Sequence, residues 1–193
     1  MYKAVVFDFF GVFCPDITLE WFKKNVPNYE EKLIDFQAIC GKSDYGKLDK
    51  QNFYQEISRL TYISISEIIK GVEAETIINA PLATFVTSLK HKGYITACLS
   101  NGTKEWTLEV ISDHGLEVLF DEIVLSGDLG IVKPDPRIYL HTLEKLSVEA
   151  TQAIFVDDRS VNTDAAEKCG IRSILFKNTN TFISEFEALT GLK

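Results

Sequence analysis

The sequence is poor in the residues that most often hold soft metals or carry redox chemistry. It has three histidines, four cysteines and one methionine in 193 residues. Cys14, Cys40, Cys98 and Cys169 form no CxxC pair and never cluster with histidine, which argues against a zinc site or a dithiol centre. Cys98 and Cys169 lie in or beside apolar segments, so the four are read as reduced, mostly buried thiols of a cytoplasmic protein. No apolar run reaches the roughly eighteen residues of a membrane span. The apolar N-terminus is broken by Asp8 and no small-residue cleavage site follows, so no signal peptide is expected. Positive charge is also scarce. With 20 Lys and Arg against 28 Asp and Glu, the net charge is −8, which argues against nucleic acid or an anionic membrane as a partner. A small anionic ligand needs only a local positive site and stays open. Repeats, low-complexity runs and long linkers are missing too.

What the chain does have is apolar bulk. Hydrophobic residues make up 46% and include thirteen Phe, enough for the core of one α/β domain with an insertion. Five short apolar runs read as strands: "KAVVFDFF", "YITACLS" (94–100), "EIVLS" (122–126), "AIFVDD" (153–158) and "RSILFK" (172–177). Their near-continuous hydrophobicity suits strands covered on both faces, as in parallel sheets. Helical patterns at 82–93, 103–115, 136–146 and 160–170 separate them; three end at Gly and one begins with Pro. This alternation predicts a doubly wound, Rossmann-like α/β fold with a parallel five-stranded sheet. Residues 15–80 break the rhythm. They read as helices around 17–25, 29–40, 50–60 and 65–78, with a capping box at Ser64–Glu67. That connection is too long for a simple crossover. The prediction is an all-helical cap, 15–80, inserted into a core domain made of 1–14 and 81–193.

The unusual polar residues fall at strand ends. Asp8 ends the first strand, Ser100 and Asn101 the second, and Asp157 and Asp158 the fourth. Taken singly, an Asp there is often a helix cap and a Ser-Asn-Gly run is often a turn. Together they would gather where open α/β sheets bind ligands, outside the carboxyl ends of the strands. Three carboxylates in one place repel one another unless a cation joins them. Mg2+ prefers oxygen ligands and needs only a few from protein. Lys133, in "GIVKPDP", can return to the same end of the sheet, although most lysines are simply solvated.

Four segments resemble motifs of the haloacid dehalogenase-like (HAD) hydrolase superfamily, in that family's order and over nearly the full chain. They are "VVFDFFGV" with Asp8, "CLSNGT" with Ser100, "GIVKPDPRIY" with Lys133, and "FVDDRSVNTDAAEKCGIRSILF" with Asp157 and Asp158. "YGKLDKQNFYQEISRL" is similar to a cap segment of the family's phosphatase-like branch. The resemblance implies a Mg2+-dependent phosphatase acting on a small phosphorylated metabolite. Asp8 would be the nucleophile, forming an aspartyl-phosphate. Asp8, the backbone carbonyl of Phe10, Asp157 and Asp158 would hold the metal. Ser100, Asn101 and Gly102 would cradle the phosphate, and Lys133 would balance charge on phosphate and nucleophile.

One position departs from the phosphatase pattern. The family's phosphatases usually carry a second Asp two residues after the nucleophile, to protonate the leaving group and then activate water. Here that residue is Phe10. The backbone ligand survives; the acid–base side chain does not. Two other readings follow. The chain is a weak or inactive relative that binds phosphorylated ligands, or a 2-haloacid dehalogenase. Dehalogenases of the superfamily carry an aromatic residue at the place of Phe10 and a counterpart of Tyr139. Their uncharged residues at the place of Asp157 and Asp158 speak against the last, as does an inserted region whose only arginine is Arg59. A receiver domain is excluded because its acidic pair sits on the first strand. In the inserted region Trp21, Phe22, Tyr45 and Lys47 are candidate substrate contacts, each read first as core or solvated.

Overall fold

The computed structural model describes residues 1–192. Strands β1 (Ala4–Phe7), β2 (Ile95–Ser100), β3 (Glu122–Leu125), β4 (Ala153–Asp157) and β5 (Arg172–Leu175) form one parallel sheet in the order β3-β2-β1-β4-β5. β1 is central, and the chain adds strands first on one side of it and then on the other. That reversal opens a crevice beyond the carboxyl end of β1. The predicted strands each lose a residue or more at their ends; at the carboxyl ends of β1, β3, β4 and β5 the flanking residues leave the ladder.

Strand residues alternate between two apolar layers, as a period of two requires. Val5, Phe7, Cys98, Ile154 and Val156 face one layer, which also holds Leu82, Val86, Phe182 and Phe186 of α5 (Ala80–His91) and α10 (Thr179–Thr190). Ala4, Val6, Ala97, Leu99 and Phe155 face the other. There they meet Ile138, Tyr139 and Leu143 of α8 (Pro136–Leu146) and Ala166 of α9 (Ser160–Lys168). Helix α6 (Lys104–Asp113) follows β2, and a single turn, α7 (Ser126–Leu129), follows β3.

Between β1 and α5 lie α1 (Ile17–Asn25), α2 (Tyr29–Asp44), α3 (Lys50–Thr61) and α4 (Ile65–Ala74). α4 opens with the Ser64–Glu67 capping box, both of its hydrogen bonds formed. α2 runs one turn past the predicted end, because Ser43 is buried and the helix carries on to Asp44; α4 stops four residues early. α7 and α10 are additions to the predicted elements. Phe22, Phe36, Phe53, Ile57 and Ile68 of this helical block join the same apolar cluster as Phe7 and Phe13. Phe22 and Phe36 stack with ring centroids 4.0 Å apart. Gly71 is needed in α4: a Cβ there would run into the Trp21 indole. Trp21 and Phe22 are therefore core residues, while exposed Lys47 lies over the exposed Tyr45 ring at 5.3 Å.

The chain leaves for the helical block and returns from it at one point. The Asn79 amide donates to the Phe13 carbonyl (2.7 Å) and its side-chain amide to the Val12 carbonyl (3.2 Å). Its Oδ1 accepts from the Leu82 amide, capping α5, and from the Thr179 hydroxyl at the start of α10.

Candidate active site

Asp8 follows β1, its amide donating to the Val156 carbonyl at 2.8 Å, so the sheet ladder carries it to the crevice floor. Its Oδ1 accepts from the Phe9 amide (2.7 Å) and lies 2.8 Å from Lys133 Nζ; no hydrogen bond from the described residues reaches Oδ2. Lys133 is almost wholly buried and also pairs with Asp157 Oδ2 at 2.8 Å. Asn101 fixes the lysine's loop: its side chain donates to the Lys133 carbonyl and accepts from the Lys133 amide. Asp157 is fully buried and saturated, accepting further bonds from the Arg159 amide and from Asn162 Nδ2 on both oxygens.

Asp158 is more open. Its carboxylate fills the space above Gly11, which has φ +93° and no room for a Cβ. Asp8, Asp157 and Asp158 each offer an oxygen within 4.8 Å of the others. The Phe10 carbonyl accepts no hydrogen bond from the described residues. This all-oxygen donor set, with an uncommitted carbonyl beside it, fits a hard divalent cation that keeps some of its water.

Burial pushes the Asp8 carboxyl up to about 7; Lys133 pulls it back down and Asp157 adds to the rise. Burial works against the Lys133 charge, yet Asp8 and Asp157 outweigh it and hold the ammonium above its ordinary value. Asp158 is raised by burial and by Asp157. One buried cation thus faces three carboxylates.

Above this floor is a cavity of about 150 Å³. One wall is aromatic: Phe10, Phe53 and Trp106, with Trp106 5.6 Å from Phe10 and 5.9 Å from Phe53 between ring centroids. The helical block contributes Asp16, Thr18, Cys40, Ser43 and Asp44, and the fourth strand's loop contributes Arg159.

A family profile for haloacid dehalogenase-like hydrolases matches residues 2–170. The chain belongs to this family. It is 30% identical over 174 residues to bifunctional epoxide hydrolase 2 of Rattus norvegicus, covering 88% of this chain and 29% of that protein. The chain thus spans less than a third of that relative's length. Sesquiterpene phosphatase astK of Aspergillus oryzae is 24% identical over 198 residues, covering 98% of this chain and 97% of that one. (S)-2-haloacid dehalogenase 4A of Burkholderia cepacia is 34% identical over 92 residues, 48% of this chain and 40% of that one. Among solved structures, a HAD family enzyme of Bacteroides thetaiotaomicron superposes with a TM-score of 0.81 at 21% identity, over 96% of this chain and 98% of that one. At that identity the likeness is one of fold.

Within this HAD fold, Asp8, Phe10, Asn101, Gly102, Lys133 and Asp158 line the cavity. Ser100 is fully buried and outside the lining, its hydroxyl 3.4 Å from the Asn101 carbonyl. Gly102 is at the cavity, but its amide donates to Ser126 Oγ (3.0 Å). Tyr139 is core, donating to the Asn162 carbonyl, and Arg59 pairs with Glu56 away from the cavity. Asp44, Arg159, Trp106 and Asn162 went unnoticed in the sequence. Arg159 directly follows the acidic pair and was the most readable of them. The others depend on how the helices pack.

Proposed function

We propose that the protein is a Mg2+-dependent phosphatase acting on a small phosphorylated metabolite through an aspartyl-phosphate on Asp8. The observation that carries this reading is the carboxylate cluster at and beneath the cavity floor: Asp8, Asp157 and Asp158 offer oxygens within 4.8 Å of one another, and buried Lys133 pairs with Asp8 and Asp157. Three clustered carboxylates repel an anionic substrate unless a cation joins them. Asp8, the Phe10 carbonyl and Asp158 would hold it, with Asp157 orienting the cluster. Bound Mg2+ would neutralise phosphate charge and align it for attack. A structural relative of this fold has been solved in complex with magnesium and inorganic phosphate.

Lys133 and the Phe9 amide fix Asp8 through Oδ1, leaving Oδ2 to attack phosphorus. Lys133 then balances charge on the transferring phosphoryl group. Asn101 keeps the lysine in place through its backbone. Phe10, Phe53 and Trp106 offer the leaving group an apolar wall. An aryl phosphate should be hydrolysed only with Mg2+, and Asp8→Asn should abolish turnover. Hydrolysis that persists in excess chelator would sink the metal-dependent reading.

A second reading is favoured by Phe10 itself, which removes the usual acid: a relative that binds phosphorylated ligands with little turnover. Mg2+-dependent binding of a phosphometabolite without hydrolysis would establish it. The dehalogenase reading requires halide release from a 2-haloacid without metal.

A further inference from the structure

Phe10 leaves the leaving group without a proton donor at the usual place, yet the cavity holds two further carboxyls, Asp16 and Asp44, both from the helical block. Asp16 is committed: it caps α1, its Oδ1 accepting from the Leu19 amide. Asp44 is not. It ends α2, is half-buried, and its side chain makes no hydrogen bond or ion pair with any described residue. The other polar lining groups of α2 are poor proton donors, Ser43 as an alkyl alcohol and Cys40 as a thiol pushed well up by burial.

The position of Asp44 is held from the core side. Its carbonyl accepts from the Ser126 hydroxyl (2.6 Å), whose oxygen in turn accepts from the Gly102 amide. Two residues on, Gly46 packs on the Gly127 carbonyl with no space for a Cβ, and a Cβ on Gly127 would lie 2.8 Å from the Gly102 carbonyl. Three glycines in contact thus join the end of α2 to the loop that follows β2 and to α7, which follows β3. Asp44 is anchored to the rim of the same cavity whose floor holds Asp8.

We propose that Asp44 is the general acid and base of the site, delivered from the helical block in place of the carboxyl that Phe10 lacks. The inference rests on the phosphatase reading of Asp8. In the first half, an Asp8 oxygen bonds to phosphorus and the phosphorus–ester oxygen bond breaks. The electron pair stays on the ester oxygen, which takes the proton of the Asp44 carboxyl and leaves as an alcohol. In the second half, the Asp44 carboxylate takes a proton from water as that water's oxygen bonds to phosphorus. The bond from phosphorus to Asp8 breaks, inorganic phosphate leaves, and both side chains return to their starting states. Burial and Asp16 push the Asp44 carboxyl up to about 6, against Lys133 and Arg159, close to the range in which such a group exchanges protons at neutral pH.

The test compares p-nitrophenyl phosphate, whose leaving group needs no proton, with phenyl phosphate, whose leaving group does. Both are assayed with Mg2+ in the wild type and in Asp44→Asn. kcat/KM for phenyl phosphate should fall about 10²- to 10⁴-fold, and that for p-nitrophenyl phosphate by less than about 10-fold. Asp44→Ala should give the same contrast if Asn perturbs the fold. Equal losses on the two substrates, or no loss on either, overturn the role of Asp44 while leaving Asp8 chemistry standing. A wild type inactive on both overturns the phosphatase reading and this inference with it.

Discussion

Phe10 and Asp44 make a pair of opposite oddities: a ring where a carboxyl is usual, and a carboxyl with no partner among the described residues where the fold would be better without it. Phe10→Asp should raise turnover of phenyl phosphate and make Asp44 dispensable, which the Phe10→Asp/Asp44→Asn double variant measures. Asp44 also has a cost. Its folded carboxyl binds a proton more tightly than in the unfolded chain, rising from 3.8 to about 6 through burial and Asp16, with Lys133 and Arg159 opposing. The fold therefore loses stability as pH rises from about 4 to about 6 and does not regain it above. Asp44→Asn should melt a few degrees above wild type at about pH 7.5, and the two should converge near pH 3.5. Lys133 presents the reverse case. Lys133→Met leaves Asp8 and Asp157 as buried like charges, at a cost of about 3–5 kcal/mol. Added Mg2+ should raise the melting temperature of that variant more than it raises that of the wild type.

At the scale of elements, the strands and their terminal residues were readable because a parallel sheet buries both faces and leaves only its ends polar. Asp8 and Asp158 meet at one crevice for that reason, and the connection between α7 and α8 brings Lys133 to it. α10 escaped because Phe182 and Phe186 bury on a sheet face whose position no local pattern announces. Asp44 escaped because nothing in "GKSDYG" distinguishes a catalytic carboxyl from a polar helix end; its place depends on packing 82 residues away, against Ser126. The three-glycine contact sets that packing. Gly46→Ala places a side chain at φ +69° and against the Gly127 carbonyl, so α2 must lift from the crevice loops. Amide exchange should then quicken at 44–47 and 126–130 while β1 stays protected, and phenyl phosphate turnover should fall further than that of p-nitrophenyl phosphate.

At the scale of the molecule, the helical block and one face of the sheet share a single apolar cluster. An ion pair between Lys50 of α3 and Glu109 of α6 adds a surface tie between them. The two parts should unfold together. Phe22→Ala, which removes a buried ring of the helical block, should cost about 3–5 kcal/mol. Circular dichroism in the far and near ultraviolet should report one coincident transition in wild type and variant alike. Two separated transitions would contradict the shared cluster.

Asn79 sets the terms on which this chain could have been assembled or could be rebuilt. Because it binds the outgoing chain at Val12 and Phe13 and the returning helix at once, everything between those points hangs from the sheet as a closed bight. With its two ends tied together, a change in the length of that bight should cost little loop-closure entropy, while any exchanged segment must still fill the apolar cluster it shares with the sheet. The nucleophile then belongs to the sheet, whereas the proposed proton donor belongs to the bight. A transplant of residues 14–78 from a relative would carry leaving-group preference with it, independently of the phosphorus chemistry at Asp8.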